Sequence, residues 1–287
     1  MTVVITGASG FLGAAVARRL SSNGLPTVAL GGPRQCRPTF ESDVKWLSYS
    51  ANLEALAEQI AMLKPSAVVH CATQYVLSHK PSDITCMFDA NLLFGTHILE
   101  SLRTSGTHFV NISTYFQYQR TENGQSTSIY AISKSAFSRV VQWYGENTAV
   151  KITDLTLFDT YGPGDERKKL VPSLLTCARL GTTLELRSAL AAVDLCYVDD
   201  VVAAVASVIS DRTTGNWSVR SGRPITVANI ARTTEEVVGR RLVSRYGDSE
   251  SVAGLPSEVP PTLPGWRPKI ELSEGIALCW NAHKGGL

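Results

Sequence analysis

Residues 2–13 read TVVITGASGFLG, an apolar run followed by glycines at positions 7, 10 and 13. Residues 2–6 have the composition of a buried strand, and residues 11–22 have the periodicity of a helix. The first glycine allows a tight bend, the second lets backbone N–H groups approach a pyrophosphate, and the third lets the helix pack closely on the strand. Strand, turn and helix in this order predict a dinucleotide site, with a purely structural turn as the alternative.

The rest of the chain alternates short apolar runs with amphipathic stretches. Further strands are predicted at residues 26–30, 44–47, 67–71, 108–112, 152–158, 184–186 and 216–219. Further helices are predicted at residues 53–63, 84–103, 129–146, 171–180, 198–210, 227–238 and 273–282. Apolar strands separated by helices are typical of a parallel sheet covered on both faces.

We therefore predict an α/β fold, a doubly wound parallel Rossmann sheet with a smaller C-terminal α/β substrate lobe. Residues 1–164 are expected to form the dinucleotide-binding Rossmann domain. Residues 165–287 are expected to form mainly the substrate-binding lobe, with some segments that return to the Rossmann domain.

The chain has 287 residues, of which 44% are hydrophobic and 18% charged, and its net charge is +2. This composition excludes a disordered, collagen-like or coiled-coil protein. The longest basic run is residues 167–169, so nucleic acid is not expected as a partner. The six cysteines are scattered, so neither a disulfide framework nor a metal site is expected. Because no apolar run has membrane-spanning length and no signal peptide precedes the first strand, we expect a cytoplasmic protein without membrane association.

Tyr130 and Lys134 are four positions apart within a predicted helix, so their side chains share one face. The ammonium group is expected to lower the pKa of the phenol towards working pH. Such a phenol can exchange a proton with a sugar oxygen while a hydride moves. The preceding strand is followed by Ser113 and Thr114, which offer a hydroxyl partner. The pair therefore predicts an acid–base site, and an exposed helical face is the alternative.

The end of the second strand bears on the choice of dinucleotide. An acidic residue there would bind both ribose hydroxyl groups and select NAD. Residues 29–34 read ALGGPR, which contains no carboxylate, and Arg37 follows Arg34. A 2′-phosphate would meet guanidinium groups instead of an anion. The sequence therefore favours NADP(H) over NAD(H), with Arg34 as one of the residues that bind it. The alternative is that these arginines are only solvent-exposed residues of a loop.

Further motifs follow in order along the chain: VVHCAT at residues 68–73, NLLFGT at 91–96, LFDTYGP at 157–163, YVDD at 197–200 and GWRP at 265–268. With the glycine turn, the hydroxyl pair and the Tyr–Lys pair, they resemble the extended short-chain dehydrogenase/reductases of the NAD-dependent epimerase/dehydratase type. The resemblance covers essentially the whole chain. It implies an NAD(P)-dependent oxidoreductase that acts on a nucleotide-diphosphate sugar, and a homodimer formed through the helices at residues 84–103 and 129–146.

The resemblance also implies roles for individual side chains. The catalytic residues would be Thr114, Tyr130 and Lys134, with Ser113 as the alternative to Thr114 and Asn91 in support. The cofactor would be bound by Gly7, Ser9, Gly10, Phe11, Leu12, Gly13, Arg34, Cys71, Ala72, Thr73, Tyr130, Lys134 and Phe158. The substrate would be bound by Thr114, Tyr115, Asp159, Lys169, Leu170, Arg187 and Tyr197. Relatives have an arginine where this chain has Val193, so Arg187 or Arg220 would have to replace it as a pyrophosphate ligand.

Three reactions are open to a member of this family. A 4,6-dehydratase would carry Asp-Glu after Thr114, whereas this chain has Tyr115-Phe116, which cannot serve as acid and base at neutral pH. Residues 157–175 resemble the reductases that make 3,6-dideoxyhexoses such as abequose and paratose. We expect NADPH-dependent reduction of the C4 ketone of a nucleotide-linked 4-keto-6-deoxy or dideoxy hexose in deoxysugar biosynthesis. An NAD-dependent nucleotide-sugar 4-epimerase is the main alternative; a dehydratase and a non-catalytic NADP-binding sensor are less favoured.

Overall fold

The computed structural model describes residues 2–31, 44–48, 52–247 and 254–284. Its strands are β1 (Val3–Thr6), β2 (Thr27–Gly31), β3 (Lys45–Ser48), β4 (Ala67–His70), β5 (His108–Thr114), β6 (Lys151–Leu157), β7 (Asp159–Tyr161), β8 (Thr183–Leu186), β9 (Ala192–Val193), β10 (Leu195–Tyr197), β11 (Gly215–Val219), β12 (Ile225–Thr226) and β13 (Val243–Tyr246). Its α-helices are α1 (Phe11–Ser22), α2 (Leu53–Leu63), α3 (Asp83–Phe88), α4 (Phe94–Leu102), α5 (Ile129–Asn147), α6 (Leu170–Leu180), α7 (Val198–Asp211), α8 (Val227–Val238) and α9 (Leu272–Lys284).

Within the described residues, seven parallel strands form the central sheet in the order β11-β6-β5-β4-β1-β2-β3. The chain runs outward from β1 to β3 and then returns to β4 on the other side of β1. The connections on either side of β1 therefore leave the sheet in opposite directions, which opens a crevice at the carboxyl ends of the strands. The predicted doubly wound parallel sheet is confirmed, and its reversal point lies beside the glycine turn.

The apolar strands are buried because helices cover both faces of the sheet. Successive side chains of β1 point to opposite faces, so Val3 and Ile5 join the cluster beneath α1 and α7. Val4 joins the cluster beneath α2, α4 and α5, which includes Phe137. All three β1 side chains are fully buried. Full burial of such a side chain contributes about 1.5–3 kcal/mol to the free energy of folding. Burial on both faces of the sheet therefore explains why the residues of β1 are continuously apolar.

The C-terminal part of the chain is shared between the sheet and smaller elements. β11 pairs with β6 and adds an edge to the central sheet, as expected of a segment that returns to it. β10 pairs with β7, β12 with β9 and β13 with β8 in two-stranded sheets. The division into domains at residue 164 stays a prediction. Among the described residues, no helix combines the length and apolarity needed to cross a bilayer.

The helix predicted at residues 84–103 is divided in the structure. α3 leads into a π-helical turn at Asp89–Leu93, which leads into α4. The predicted helix is confirmed as a continuous helical stretch. The periodicity of the sequence carries no signal for the π-helical turn in its middle. π-helical turns are often found at functional sites, and this one contains Asn91.

Candidate active site

A cavity of about 390 Å³ opens at the carboxyl ends of the central strands. Most of the side chains predicted for cofactor and substrate lie in its wall. From the predicted set the wall contains Gly7, Ser9, Gly10, Phe11, Leu12, Gly13, Cys71, Thr73, Thr114, Tyr115, Tyr130, Lys134, Phe158 and Lys169. The fold therefore brings residues from separate segments of the chain to one crevice.

The glycine turn fits a pyrophosphate. Gly7 has a φ of +67°, and a Cβ there would lie 2.6 Å from the backbone nitrogen of Ala72, so only glycine is accommodated. Helix α1 begins directly after Gly10, whose backbone caps it without any side-chain hydrogen bond. The first N–H groups of a helix have no intrahelical acceptor and carry partial positive charge. The turn therefore presents donors to an anion, and its residues fit the dinucleotide that the sequence predicted.

Tyr130 lies at the start of α5, where the side chain of Ser128 caps the helix by accepting from the N–H of Ala131 at 3.1 Å. The Tyr130 side chain is buried, and its hydroxyl hydrogen-bonds with the side chains of Thr73 and Thr114. Lys134 lies one turn later and is also buried. Its ammonium group donates to the carbonyl of Ile112 on β5 at 2.8 Å. The predicted catalytic residues are thus brought together at the end of one strand.

The predicted effect of Lys134 on Tyr130 is corrected by the structure. Burial raises the pKa of Tyr130 to about 12, and its hydrogen bonds with Thr73 and Thr114 only partly oppose this shift. Burial also lowers the pKa of Lys134 to about 8. Desolvation of the phenol outweighs these hydrogen bonds and the charge of Arg167, which also favours the phenolate. Tyr130 is therefore a protonated phenol at neutral pH.

Of the two adjacent hydroxyl residues, the structure favours Thr114 as the partner of Tyr130. The Ser113 hydroxyl lies 3.3 Å from that of Thr156 and accepts from the side-chain amide of Gln117 at 3.0 Å. These partners engage the Ser113 hydroxyl, although Ser113 also lies in the cavity wall. Thr114, in contrast, hydrogen-bonds Tyr130 directly. The threonine therefore occupies the position from which an alkoxide beside Tyr130 can be stabilised.

Three further predicted residues, Tyr115, Phe158 and Lys169, line the cavity, and Asp159 contacts two of them. The Tyr115 ring stacks on Phe158 with centroids 4.8 Å apart, and its hydroxyl donates to Asp159 at 2.8 Å. The other oxygen of Asp159 accepts from Lys169 at 2.9 Å. Asp159 thereby joins two wall residues, Tyr115 and Lys169, in one hydrogen-bonded unit.

Among the wall residues that the sequence analysis did not assign to the site are Tyr75 and Arg167. The Tyr75 ring stands edge-on to Tyr130 with centroids 5.1 Å apart, and Lys169 lies over the Tyr75 ring at 5.1 Å. Arg167 lies 4.6 Å over the ring of Phe11 and is held by Asp165. The position of Tyr75 two residues after Thr73 was an available signal for the first. The basic run at residues 167–169 was noticed, but only the fold shows which of its members face the cavity.

Asn91 explains how the Thr73–Tyr75 loop is held. Its side-chain oxygen accepts from the backbone N–H of Gln74 at 2.6 Å and from the hydroxyl of Thr73 at 3.0 Å. Its amide donates to the hydroxyl of Ser133 on α5 at 3.0 Å. The π-helical turn thus links the loop that contacts Tyr130 to the helix that carries it, which is the supporting role implied for this residue.

Some predicted residues are not brought to the cavity wall. Ala72 packs behind the glycine turn and donates its N–H to Thr6. Tyr197 is buried in the core against Tyr161, with ring centroids 5.6 Å apart. Leu170 begins α6, and Arg187 is exposed beyond β8, although its charge acts on Tyr75. Arg34 lies outside the described residues. No cluster of metal-ligating side chains is found within the described part of the chain.

Comparisons with known proteins agree with this geometry. The profile of the NAD dependent epimerase/dehydratase family matches residues 3–219. The chain is 23% identical to CDP-abequose synthase of Salmonella typhimurium in an alignment that covers 96% of this chain and 95% of that protein. It is 21% identical to dTDP-4-dehydro-6-deoxyglucose reductase of Escherichia coli, with the same coverage of 96% and 95%. UDP-glucose 4-epimerase of Thermus thermophilus, solved with NAD, has the same fold with a TM-score of 0.83 and 24% identity over 100% of both chains.

Proposed function

The chain belongs to the NAD dependent epimerase/dehydratase family, and from that premise we propose that it reduces the C4 ketone of a nucleotide-linked 4-keto-6-deoxy or dideoxy hexose with NADPH. Membership and the sugar reductases among its relatives make it an NAD(P)-dependent nucleotide-sugar oxidoreductase. The observation that carries the proposal of reduction is the buried, protonated phenol of Tyr130 in contact with Thr114. Ketone reduction requires a proton donor at that place.

The proposed chemistry assigns one task to each side chain. When bound, the nicotinamide supplies a hydride to the carbonyl carbon. Tyr130 donates its phenolic proton to the oxygen of the former carbonyl, which leaves an alcohol. Thr114 donates a hydrogen bond to the same oxygen and stabilises the charge that develops on it. Lys134 holds the ribose hydroxyl groups and stabilises the phenolate that Tyr130 becomes.

The residues after Thr114 weigh against a 4,6-dehydratase. Elimination of water needs an acid and a base beside the sugar, and this chain has aromatic rings there. The Tyr115 hydroxyl is bonded to Asp159, and the Phe116 ring stands 6.3 Å from that of Tyr130. Neither ring can accept a proton from carbon at neutral pH. The same rings offer a weakly polar wall, which suits a sugar that lacks hydroxyl groups.

The preference for NADPH rests on the end of β2. Gly31 ends that strand, and the Trp46 ring from β3 occupies the space in which a side chain at this position would lie. No carboxylate at Gly31 can repel a 2′-phosphate. Arg34, three residues later, is the proposed phosphate ligand. Replacement of Arg34 with alanine should weaken binding of NADPH far more than of NADH, and equal effects on the two cofactors would contradict the preference.

The experiment that tests the function follows NADPH absorbance with CDP-, TDP- and GDP-linked 4-keto-6-deoxy sugars. One NADPH should be consumed for each alcohol formed with at least one of these sugars. Conversion of a nucleotide sugar to its 4-epimer without net consumption of cofactor would instead make the protein an epimerase. Binding of NADPH without conversion of any such sugar would reject the proposed reaction.

A further inference from the structure

A strip of polar side chains lies between the central sheet and α5, behind the catalytic residues. Asn111 on β5 and Asp154 on β6 stand opposite each other in the register of the two strands. Both are buried, and the Asn111 amide donates to the Asp154 carboxylate at 3.0 Å. Ser113 and Thr156 follow two positions later on the same face and contact each other. Residues buried beneath a helix are ordinarily apolar, so a carboxylate at this position indicates a specific role.

The Asp154 carboxylate faces polar side chains from β5 and from α5. Besides Asn111, the side chains of Ser138 and Ser113 act on it and favour its charged form, while the Ser138 hydroxyl donates to the side-chain oxygen of Gln117 at 3.1 Å. Ser138 lies on α5 one turn after Lys134, whose ammonium group binds the Ile112 carbonyl between Asn111 and Ser113. The buried cation and the buried carboxylate therefore bind neighbouring residues of β5, Ile112 and Asn111. Burial raises the pKa of Asp154 and lowers that of Lys134, and the charge of each group opposes this shift in the other.

The other groups that act on Lys134 supply no comparable negative charge. Burial raises the pKa of Cys71 to about 12, so its thiol is neutral. Burial lowers the pKa of His70 to about 3, so its ring is neutral as well. A buried ammonium group without an anion loses its proton readily. Asp154 is therefore the group that opposes the desolvation of Lys134.

We propose that Asp154 is a positioning residue of the active site, which acts through Lys134 by keeping its ammonium group charged and held against the Ile112 carbonyl. The expected effect of Asp154 on turnover rests on the proposed function. The expected effect of Asp154 on cofactor binding rests only on the role of Lys134 at the ribose. Loss of the Lys134 charge removes both the ribose contact and the support for the Tyr130 phenolate. The carboxylate thereby sets the upper end of the pH range in which the site works.

A second cavity of about 700 Å³ reaches Asp154 from the far side of α5. Its wall also contains Arg120, Arg139, Glu146 and Lys151, all of which are exposed. Charges in solvent are screened and act weakly on a buried group. Burial is the largest influence on the pKa of the carboxylate, and it is opposed by Lys134 and by the side chains of Ser138, Asn111 and Ser113.

The test compares Asp154→Asn with wild type in NADPH affinity and in turnover as functions of pH. The substitution keeps the shape of the side chain and removes its charge. We expect the alkaline loss of NADPH affinity, and of kcat, to move to lower pH by about one unit or more, the order of the shift that an opposite charge produces on a buried group. Asp154→Glu should restore part of the range. An unmoved alkaline limb in a folded Asp154→Asn protein would overturn the proposal.

Two further variants separate this role from a merely structural one. Thr156→Val removes a buried polar group from the same face of β6, and we expect no displacement of either limb. Ser138→Ala removes a hydroxyl group that favours the charged form of Asp154, so it should raise the pKa of Asp154 and move the acid limb to higher pH. If Asp154→Asn does not fold, Ser138→Ala still tests the proposal. An unchanged acid limb in the pH profile of Ser138→Ala would contradict it. If wild type converts no keto sugar, the proposed reaction fails, whereas the NADPH affinity profiles still test Asp154.

Discussion

At the scale of single residues, the site depends on a phenol that burial keeps protonated. Tyr130 is 4% exposed, and its pKa of about 12 makes it a proton donor throughout the neutral range. Thr114 at the end of β5 and Thr73 in the loop after β4 orient the Tyr130 hydroxyl. A reductase needs an acid at the start of each turnover and not a base. The corrected protonation state therefore agrees with ketone reduction better than a depressed pKa would.

Replacement of Tyr130 with phenylalanine tests this assignment. The ring and its packing against Tyr75 would remain, but the proton would be gone. We expect kcat to fall by roughly 10²-fold or more, the scale of a lost general acid, while NADPH still binds with an affinity near that of wild type. Steady-state rates and fluorescence titration of NADPH measure the two effects. Turnover near the wild-type rate would remove Tyr130 from the mechanism.

At the scale of elements, the sequence predicts closely those helices and strands whose own residues determine their secondary structure. The sequence places α1 at residues 11–22 and α8 at residues 227–238, and the structure gives the same bounds. Short elements that exist only through pairing partners were missed: β7 forms by pairing with β10, which lies more than 30 residues later. The π-helical turn was missed because the pattern of apolar residues carries no signal that distinguishes it from an α-helical turn. The burial of Tyr197 was missed since its neighbour Tyr161 comes from another strand.

The glycine turn permits a prediction at the same scale. Gly7→Ala would add strain at a positive φ and would press a Cβ against the backbone of Ala72. Gly24 has a similar φ of +78°, but nothing lies within 4 Å of a Cβ placed there, so Gly24→Ala is a matched control. We expect Gly24→Ala to cost roughly 1–2 kcal/mol of unfolding free energy. Gly7→Ala should cost clearly more and should also weaken NADPH binding.

Urea unfolding and NADPH titration of both variants measure these effects. Equal losses of stability in the two variants, with unchanged NADPH affinity, would show that the first glycine serves its conformation alone. The turn would then have no role in bringing the backbone close to a ligand.

At the scale of the whole molecule, α5 presents an exposed apolar face on its outer side. Ile132 is 46% exposed and Trp143 is 52% exposed, while Leu93 on the adjacent π-helical turn is 47% exposed. Ile132 and Trp143 are eleven residues apart, about three helical turns, so they share a face. Exposed apolar residues on one continuous surface favour association. This surface supports the proposed homodimer through the helices of residues 84–103 and 129–146.

Sedimentation equilibrium tests that assembly. Wild type should have twice the chain mass of 31.0 kDa, and Trp143→Glu should shift the protein towards the monomer by placing a charge in the interface. Leu180→Glu is the control, because Leu180 is also exposed, at 62%, but lies on α6. A monomeric wild type, or an unchanged dimer in Trp143→Glu, would contradict the proposed interface.

The transfer of deuterium from labelled NADPH tests the central claim most directly. The protein would be given NADPH deuterated at C4 of the nicotinamide, on each face in separate reactions, together with the keto sugar that it converts. The account predicts one deuterium at C4 of the product sugar, from one of the two labelled forms, for every NADPH oxidised. A product that carries no deuterium at C4, or a cofactor that returns with its label, would contradict net reduction at this carbon.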